Sequence, residues 1–178
     1  MTPNQLLVLL LLIPLFSFSQ GATHKMTLLD GKLELTIPNQ LSTMSDEDFH
    51  QHFREGASKP RFLLTDSTFE VTFAAIPTTV SLKDDDMASF ALFQYQDVRK
   101  QHPNTEFPPH AHGTLMVNGK KIGYLKFIPH SPSRTGFTSS FYVLVDGKVL
   151  VLSLICPQTM QKTWEPIADK IIQTLRIK

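Results

Sequence analysis

Between residues 163 and 178, Trp164, Ile167, Ala168, Ile171, Ile172 and Leu175 recur at i, i+3, i+4, i+7, i+8 and i+11. That spacing predicts a helix with one buried face. Lys170, Gln173 and Lys178 lie off the stripe. Thr163 is the expected N-cap, with Pro166 in the first turn, where a missing N–H does no harm. A second stripe (Met87, Phe90, Ala91, Tyr95, Val98, widened by Leu92 and Phe93) predicts the longest helix, over about residues 84–100. Asp84, Asp85 and Asp86 open it, where acidic side chains complement the helix dipole. Ser45 with Asp48 three residues later resembles a capping box and predicts a short third helix. Met44 and Phe49 would staple it, and Gly56 would stop it.

The rest of the chain reads as strands. Asp30-Gly31, Asn118-Gly119 and Asp146-Gly147 each separate two apolar runs. Such pairs favour type I′ hairpin turns, because both central residues need positive φ. They predict hairpins over 26–37, 113–129 and 134–156. Two further strands fall at 61–65 and 69–76, the second alternating Phe69, Val71, Phe73 and Ala75 with polar residues and closing at Pro77. Phe137, Ser139, Phe141, Val143 and Val145 share one strand face. The run 149–155 is apolar on both faces and should be a central strand. The order is ββ-α-ββ-α-ββββ-α. It implies an α/β (α+β) fold: an α/β/α sandwich with a central, largely antiparallel sheet flanked by helices.

This order resembles the Mog1/PsbP/DcrB-like fold family across nearly all of residues 20–178. The matching stretches are Leu33-Glu34-Leu35-Thr36-Ile37-Pro38, the strand at 69–76 with the long helix after it, Asn118-Gly119-Lys120-Lys121-Ile122-Gly123-Tyr124, Val145-Asp146-Gly147-Lys148-Val149, and the terminal helix at 164–175. The resemblance implies a non-catalytic protein that binds a partner. Members include a nuclear transport factor that binds a small GTPase, lumenal subunits of the oxygen-evolving complex, envelope lipoproteins and chaperones for secreted toxins. Fold alone does not choose among these roles.

Residues 6–16 read LLVLLLLIPLF, an uncharged run of secretory-signal length. Ser17-Phe18-Ser19 follows, with small residues where a signal peptidase inspects the chain. Residues 1–19 are therefore expected to be a signal peptide and 20–178 a single domain. The n-region lacks Lys and Arg, and an uncleaved anchor is the other reading. The run is shorter than the roughly 20 residues of a bilayer span. No Cys lies near the cleavage zone, so no lipid anchor is expected there. The protein is expected in the periplasm or outside the cell.

Seventeen basic and sixteen acidic side chains give a net charge of +1. No global field draws nucleic acid or anionic lipid, and neither is an expected partner. The single cysteine, Cys156, excludes an intramolecular disulfide and is expected to be a buried, inert thiol.

Candidate chemistry is sparse. His110 and His112 form an H-x-H pair, whose rings would share a side in a strand and could share a metal. His102 or Glu106 would have to fold back to add a ligand. Loop histidines are more often simply solvated, and no metal or other cofactor is expected. Asp84 to Asp86 point in different directions on a helix start and make no site. Ser131, Ser133, Ser139 and Ser140 lack an evident base, and no nucleophile elbow, P-loop or dinucleotide fingerprint occurs. The expectation is an exported, non-catalytic envelope protein that binds a macromolecule or assists an envelope assembly. The loops at 103–112 and 131–136 or an exposed sheet face would carry the contacts. The alternatives are a metal-dependent hydrolase using His110 and His112, and a carrier holding a small apolar ligand between the long helix and the sheet.

Overall fold

A computed structural model describes residues 22–53, 58–131 and 134–178. The expected leader at 1–19, the helix stop Gly56 and the loop residue Ser133 lie outside the described residues. The first elements are β1 (Thr23–Leu28), β2 (Leu33–Pro38), β3 (Ser42–Thr43), α1 (Asp46–His52), β4 (Phe62–Thr65) and β5 (Thr72–Ser81). Helix α2 (Met87–Gln101) follows, then β6 (His112–Val117), β7 (Lys120–Phe127), β8 (His130–Ser131), β9 (Arg134–Val145) and β10 (Lys148–Pro157). Helix α3 (Gln161–Gln173) and β11 (Arg176–Ile177) complete the chain.

Each hairpin turns where its Asx-Gly pair stands. Asp30, Asn118 and Asp146 take φ of 55°, 47° and 53°, and the glycines after them are also positive. All the strand pairings are antiparallel. They build two sheets where the sequence suggested one. The larger runs β3-β4-β5-β10-β9-β7-β6, with β8 beside β9, and the smaller runs β1-β2-β11. β10 is central, as its apolar run predicts.

Side-chain alternation assigns the faces. Phe137, Ser139, Phe141, Val143 and Val145 are all buried on one face of β9. There they meet α3 and the small sheet, whose Leu33, Leu35 and Ile37 share the same core. On the other face α2 covers Leu125, Tyr142 and Val149, while α1 covers Leu63 and Ala74. Between those two helices the sheet is partly bare, and Ile76 and Ile155 are exposed. A helix on each face of an antiparallel sheet matches the expected sandwich.

Several local expectations are corrected. Phe69 lies in a turn (φ 57°) instead of a strand, because the Asp66 carboxylate accepts the N–H groups of Glu70 and Val71. β5 continues through Pro77. Its β4 partner reaches only Ala75, so the missing N–H breaks no ladder on that side. Leu92 and Phe93 are exposed and do not widen the α2 stripe. A 3-10 turn, Gln158–Met160, starts the last helix earlier than Thr163, leaving Pro166 inside it. The capping at α1 is as expected: Ser45 Oγ accepts the Asp48 N–H at 3.0 Å.

Candidate functional site

A cleft of about 450 Å³ lies between the outer strand β6 and helix α3. Its charged floor comes from two elements. Lys126 is on β7, opposite Ser139 of β9, on the face that α3 covers. Glu165 and Asp169 are four residues apart on α3 and so share one side of it. Lys126 Nζ donates to Glu165 Oε1 at 3.0 Å and to Asp169 Oδ2 at 2.9 Å. Gln161, one turn earlier, donates to Glu165 Oε2 at 3.0 Å.

The Lys126 side chain is only 13% exposed, against 28% for Glu165 and 38% for Asp169. Burial opposes its charge. Hydrogen bonds and attraction from Asp169 and Glu165 outweigh that burial and hold the ammonium above its usual range. The three groups sum to one negative charge. Asp169 Oδ1 has no hydrogen-bond partner among the described residues, so it is the open acceptor of the set.

The walls are Tyr124, Leu115, Met116, Pro109 and His110. Tyr124 lies over Gly113, where a Cβ would come within 2.9 Å of the phenol oxygen. Glycine is therefore what lets the Tyr124 ring lie flat against β6.

The backbone of β6 faces the cleft from its open side. Lys126 N–H donates to Ala111 O at 2.6 Å. Bonded pairs alternate along an antiparallel ladder. Gly113, Leu115 and Val117 therefore turn their backbone groups to β7, and His112, Thr114 and Met116 turn theirs outward. No backbone bond to those outward groups occurs among the described residues. Met116 is 65% exposed.

The histidines are not brought together. His110 takes φ 56° and lines the cleft. His112 packs on Tyr95 of α2 with ring centroids 4.4 Å apart, on the opposite face of the sheet. The positive φ at His110 breaks the extended alternation that would have aligned the rings. His102 caps the end of α2. Glu106 reaches His130 at 3.4 Å on the surface. No group of three His, Cys, Asp or Glu side chains among the described residues is placed to hold a metal.

The other candidates have structural roles. Asp84, Asp85 and Asp86 form a 3-10 turn into α2. Ser140 Oγ lies 3.1 Å from Ser153 Oγ, and Ser139 is fully buried with no hydrogen-bond partner for its hydroxyl among the described residues. Of Ser131 only the backbone is described. Cys156 is buried; burial first, then the Glu165 charge, pushes its thiol up to about 11. Tyr142 is raised by burial alone.

Sequence reading missed Lys126, Glu165, Asp169 and Tyr124. One signal was available. Two acids at i and i+4 on a helix repel unless a cation faces them.

No protein-family model matches the sequence, and no curated protein matches it. Solved structures do. The cyanobacterial PsbP of Synechocystis is similar with a TM-score of 0.59 at 10% identity, over 89% of this chain and 94% of that one. LpqN of Mycobacterium tuberculosis, described as involved in cell envelope biogenesis, gives 0.59 at 14% identity over 88% and 91%. A point mutant of Mog1 gives 0.54 at 9% identity over 88% and 96%. The chain has the PsbP/Mog1-like fold. At these identities the likeness is one of fold, and the cleft has to be read from this chain's own residues. In this PsbP/Mog1-like chain, no helix among the described residues is long and apolar enough to cross a membrane.

Proposed function

We propose that this protein is an exported, envelope-associated binding protein without chemistry of its own, and that the cleft beside β6 is where it binds. The observation that carries the reading is the state of the cleft's polar groups. Lys126 is held as an ammonium by two carboxylates, so it is neither a base nor a nucleophile at neutral pH. Such a buried ion set fixes a shape and a charge, which suits recognition better than proton transfer. Export rests on the apolar run at 6–16. Association with the envelope is supported by the LpqN likeness, and a protein partner by the open strand edge.

The hydrolase alternative loses its shared site, because His110 and His112 lie on different faces of the sheet. The carrier alternative placed a ligand between α2 and the sheet. Met87, Leu125, Tyr142 and Val149 close that interface, while the cleft lies on the other face and has a charged floor.

The test is a photo-crosslinking residue at Met116 in the full chain, made in its native cells. One discrete adduct in the envelope fraction is expected. The same probe at Phe93, exposed on α2, is expected to give none. The same adducts at both positions, or no adduct at Met116, would overturn the proposal.

A further inference from the structure

The proposed binding role leaves open what chemistry the cleft accepts, and the geometry of β6 narrows it. The larger sheet has two ends. One is β3, only two residues long. The other is β6, six residues long, with no Lys, Arg, Asp, Glu or Pro. Natural sheets usually blunt an edge with charge, proline, a bulge or brevity. β6 has none of these, and the outward backbone groups of His112, Thr114 and Met116 have no backbone partner among the described residues.

Resting on the reading of the cleft as the binding site, we infer that β6 accepts an added β-strand from a partner polypeptide, and that this strand carries a Lys or Arg side chain into the cleft. Backbone hydrogen bonds to an exposed edge give such complexes their affinity, and pockets for alternate side chains give specificity. Both parts are present. In an added strand, residues opposite Gly113 and Leu115 point to the same face as those residues. That is the face of Tyr124 and Lys126, where the cleft opens. Gly113 contributes no side chain there, so the incoming group has room over the Tyr124 ring. A cation can stack on that ring.

The charge of the floor selects the occupant. Glu165 and Asp169 exceed Lys126 by one negative charge, and Asp169 Oδ1 has no hydrogen-bond partner among the described residues. An acidic side chain would be repelled, and an apolar one would leave the carboxylate desolvated without a partner. A second copy of this chain pairing through β6 would bring no Lys or Arg side chain of that strand to the cleft. Charge complementarity therefore favours a basic strand over self-association.

The probe is the peptide acetyl-TVTRTVT-amide, with versions carrying Glu or Leu in place of Arg. Binding is read by calorimetry and by amide chemical shifts of the full protein. The Arg peptide is expected to bind at least about tenfold tighter than the Glu peptide, a charge-assisted contact's worth. It should shift the His112, Thr114 and Met116 amides most. Asp169→Asn should bring the three peptides to within about threefold. Thr114→Pro, which removes an outward N–H that bonds nothing in the sheet, should abolish all binding while leaving the melting temperature near the parent value.

Equal binding of the Arg and Glu peptides to the parent protein overturns the charge selection. Binding that leaves the β6 amides unmoved overturns strand addition. Acetyl-arginine-amide separates the two levels of the inference. If it shifts Tyr124 and Lys126 while no peptide binds, the cleft reading stands and strand addition fails. If nothing shifts the cleft, both fail. A dimer in sedimentation with β6 amides already protected assigns the edge to self-pairing and overturns the proposal.

Discussion

Replacing Lys126 by methionine tests the physical core of the site. Methionine keeps most of the buried stem volume and removes the charge, so the change is electrostatic. It leaves Glu165 and Asp169 facing each other without their shared cation. Breaking a fully buried pair costs about 3–5 kcal/mol, whereas an exposed pair contributes about 0–1 kcal/mol. Lys126 is 13% exposed, but its partners are 28% and 38% exposed. Water reaches the carboxylates and screens them, which places the loss at about 2 kcal/mol. For a chain of this size that lowers the melting temperature by roughly 4–8 °C. The dependence on pH has a definite sign. The folded pKa of Lys126 is raised above its ordinary 10.5. Its stabilising contribution is therefore complete below about 10.5 and disappears as pH rises through the raised value. Urea unfolding of both proteins from pH 7 to 11.5 should show a constant gap up to about pH 10 that then closes. Groups common to both proteins cancel in that difference. The combined variant Lys126→Met, Glu165→Gln, Asp169→Asn should recover most of the loss. A Lys126→Met protein as stable as the parent at pH 7 would contradict a net stabilising role for this ion set, because burial of the ammonium would then match all the attraction it receives.

Three further substitutions probe the frame around the site. Gly123→Ala puts a Cβ 2.8 Å from Met87 Sδ and 3.2 Å from Tyr142 Cδ2, so overpacking should cost about 1–3 kcal/mol in urea unfolding, and adding Met87→Ala should relieve part of it. Asn118→Ala removes the side-chain bond to Leu175 O at 2.7 Å and leaves alanine at φ 47°, a loss of about 1–2 kcal/mol by thermal melting. Cys156 should react with an aromatic disulfide reagent at pH 8 only after unfolding, since its thiol is buried and pushed up to about 11; fast reaction of the native protein would contradict that placement.

Local rules carried most of the fold. Each Asx-Gly pair dictated a positive-φ turn, and the period-two pattern of β9 selected its buried face without tertiary information. What failed depended on partners. Pro77 reads as a strand end, yet β5 passes through it because β4 stops two residues short. Leu92 and Phe93 read as core, yet they lie off the face of α2 that packs on Leu125, Tyr142 and Val149, and both stay exposed. The split into two sheets was equally hidden. β11 is two residues long and joins β2 from the far end of the chain.

The site was illegible for a related reason. Lys126 and Asp169 are separated by 43 residues, and neither belongs to a motif. His110 and His112 looked like a pair because sequence proximity is visible and the sign of φ at His110 is not. The i, i+4 acids of α3 were the real signal, since a helix holding Glu165 and Asp169 on a side that faces the sheet demands a cation from the sheet. Six lysines and arginines lie from residue 99 to residue 134. Only one on a strand beneath α3, with its side chain on the covered face, can answer that demand, and Lys126 opposite Ser139 is that residue. A polar strand position flanked by buried Leu125 and largely buried Phe127 makes sense only once the helix is in place. The same placement leaves the β6 edge open beside an acidic floor, so the groups that secure α3 to the sheet also set the charge of whatever strand the edge can receive.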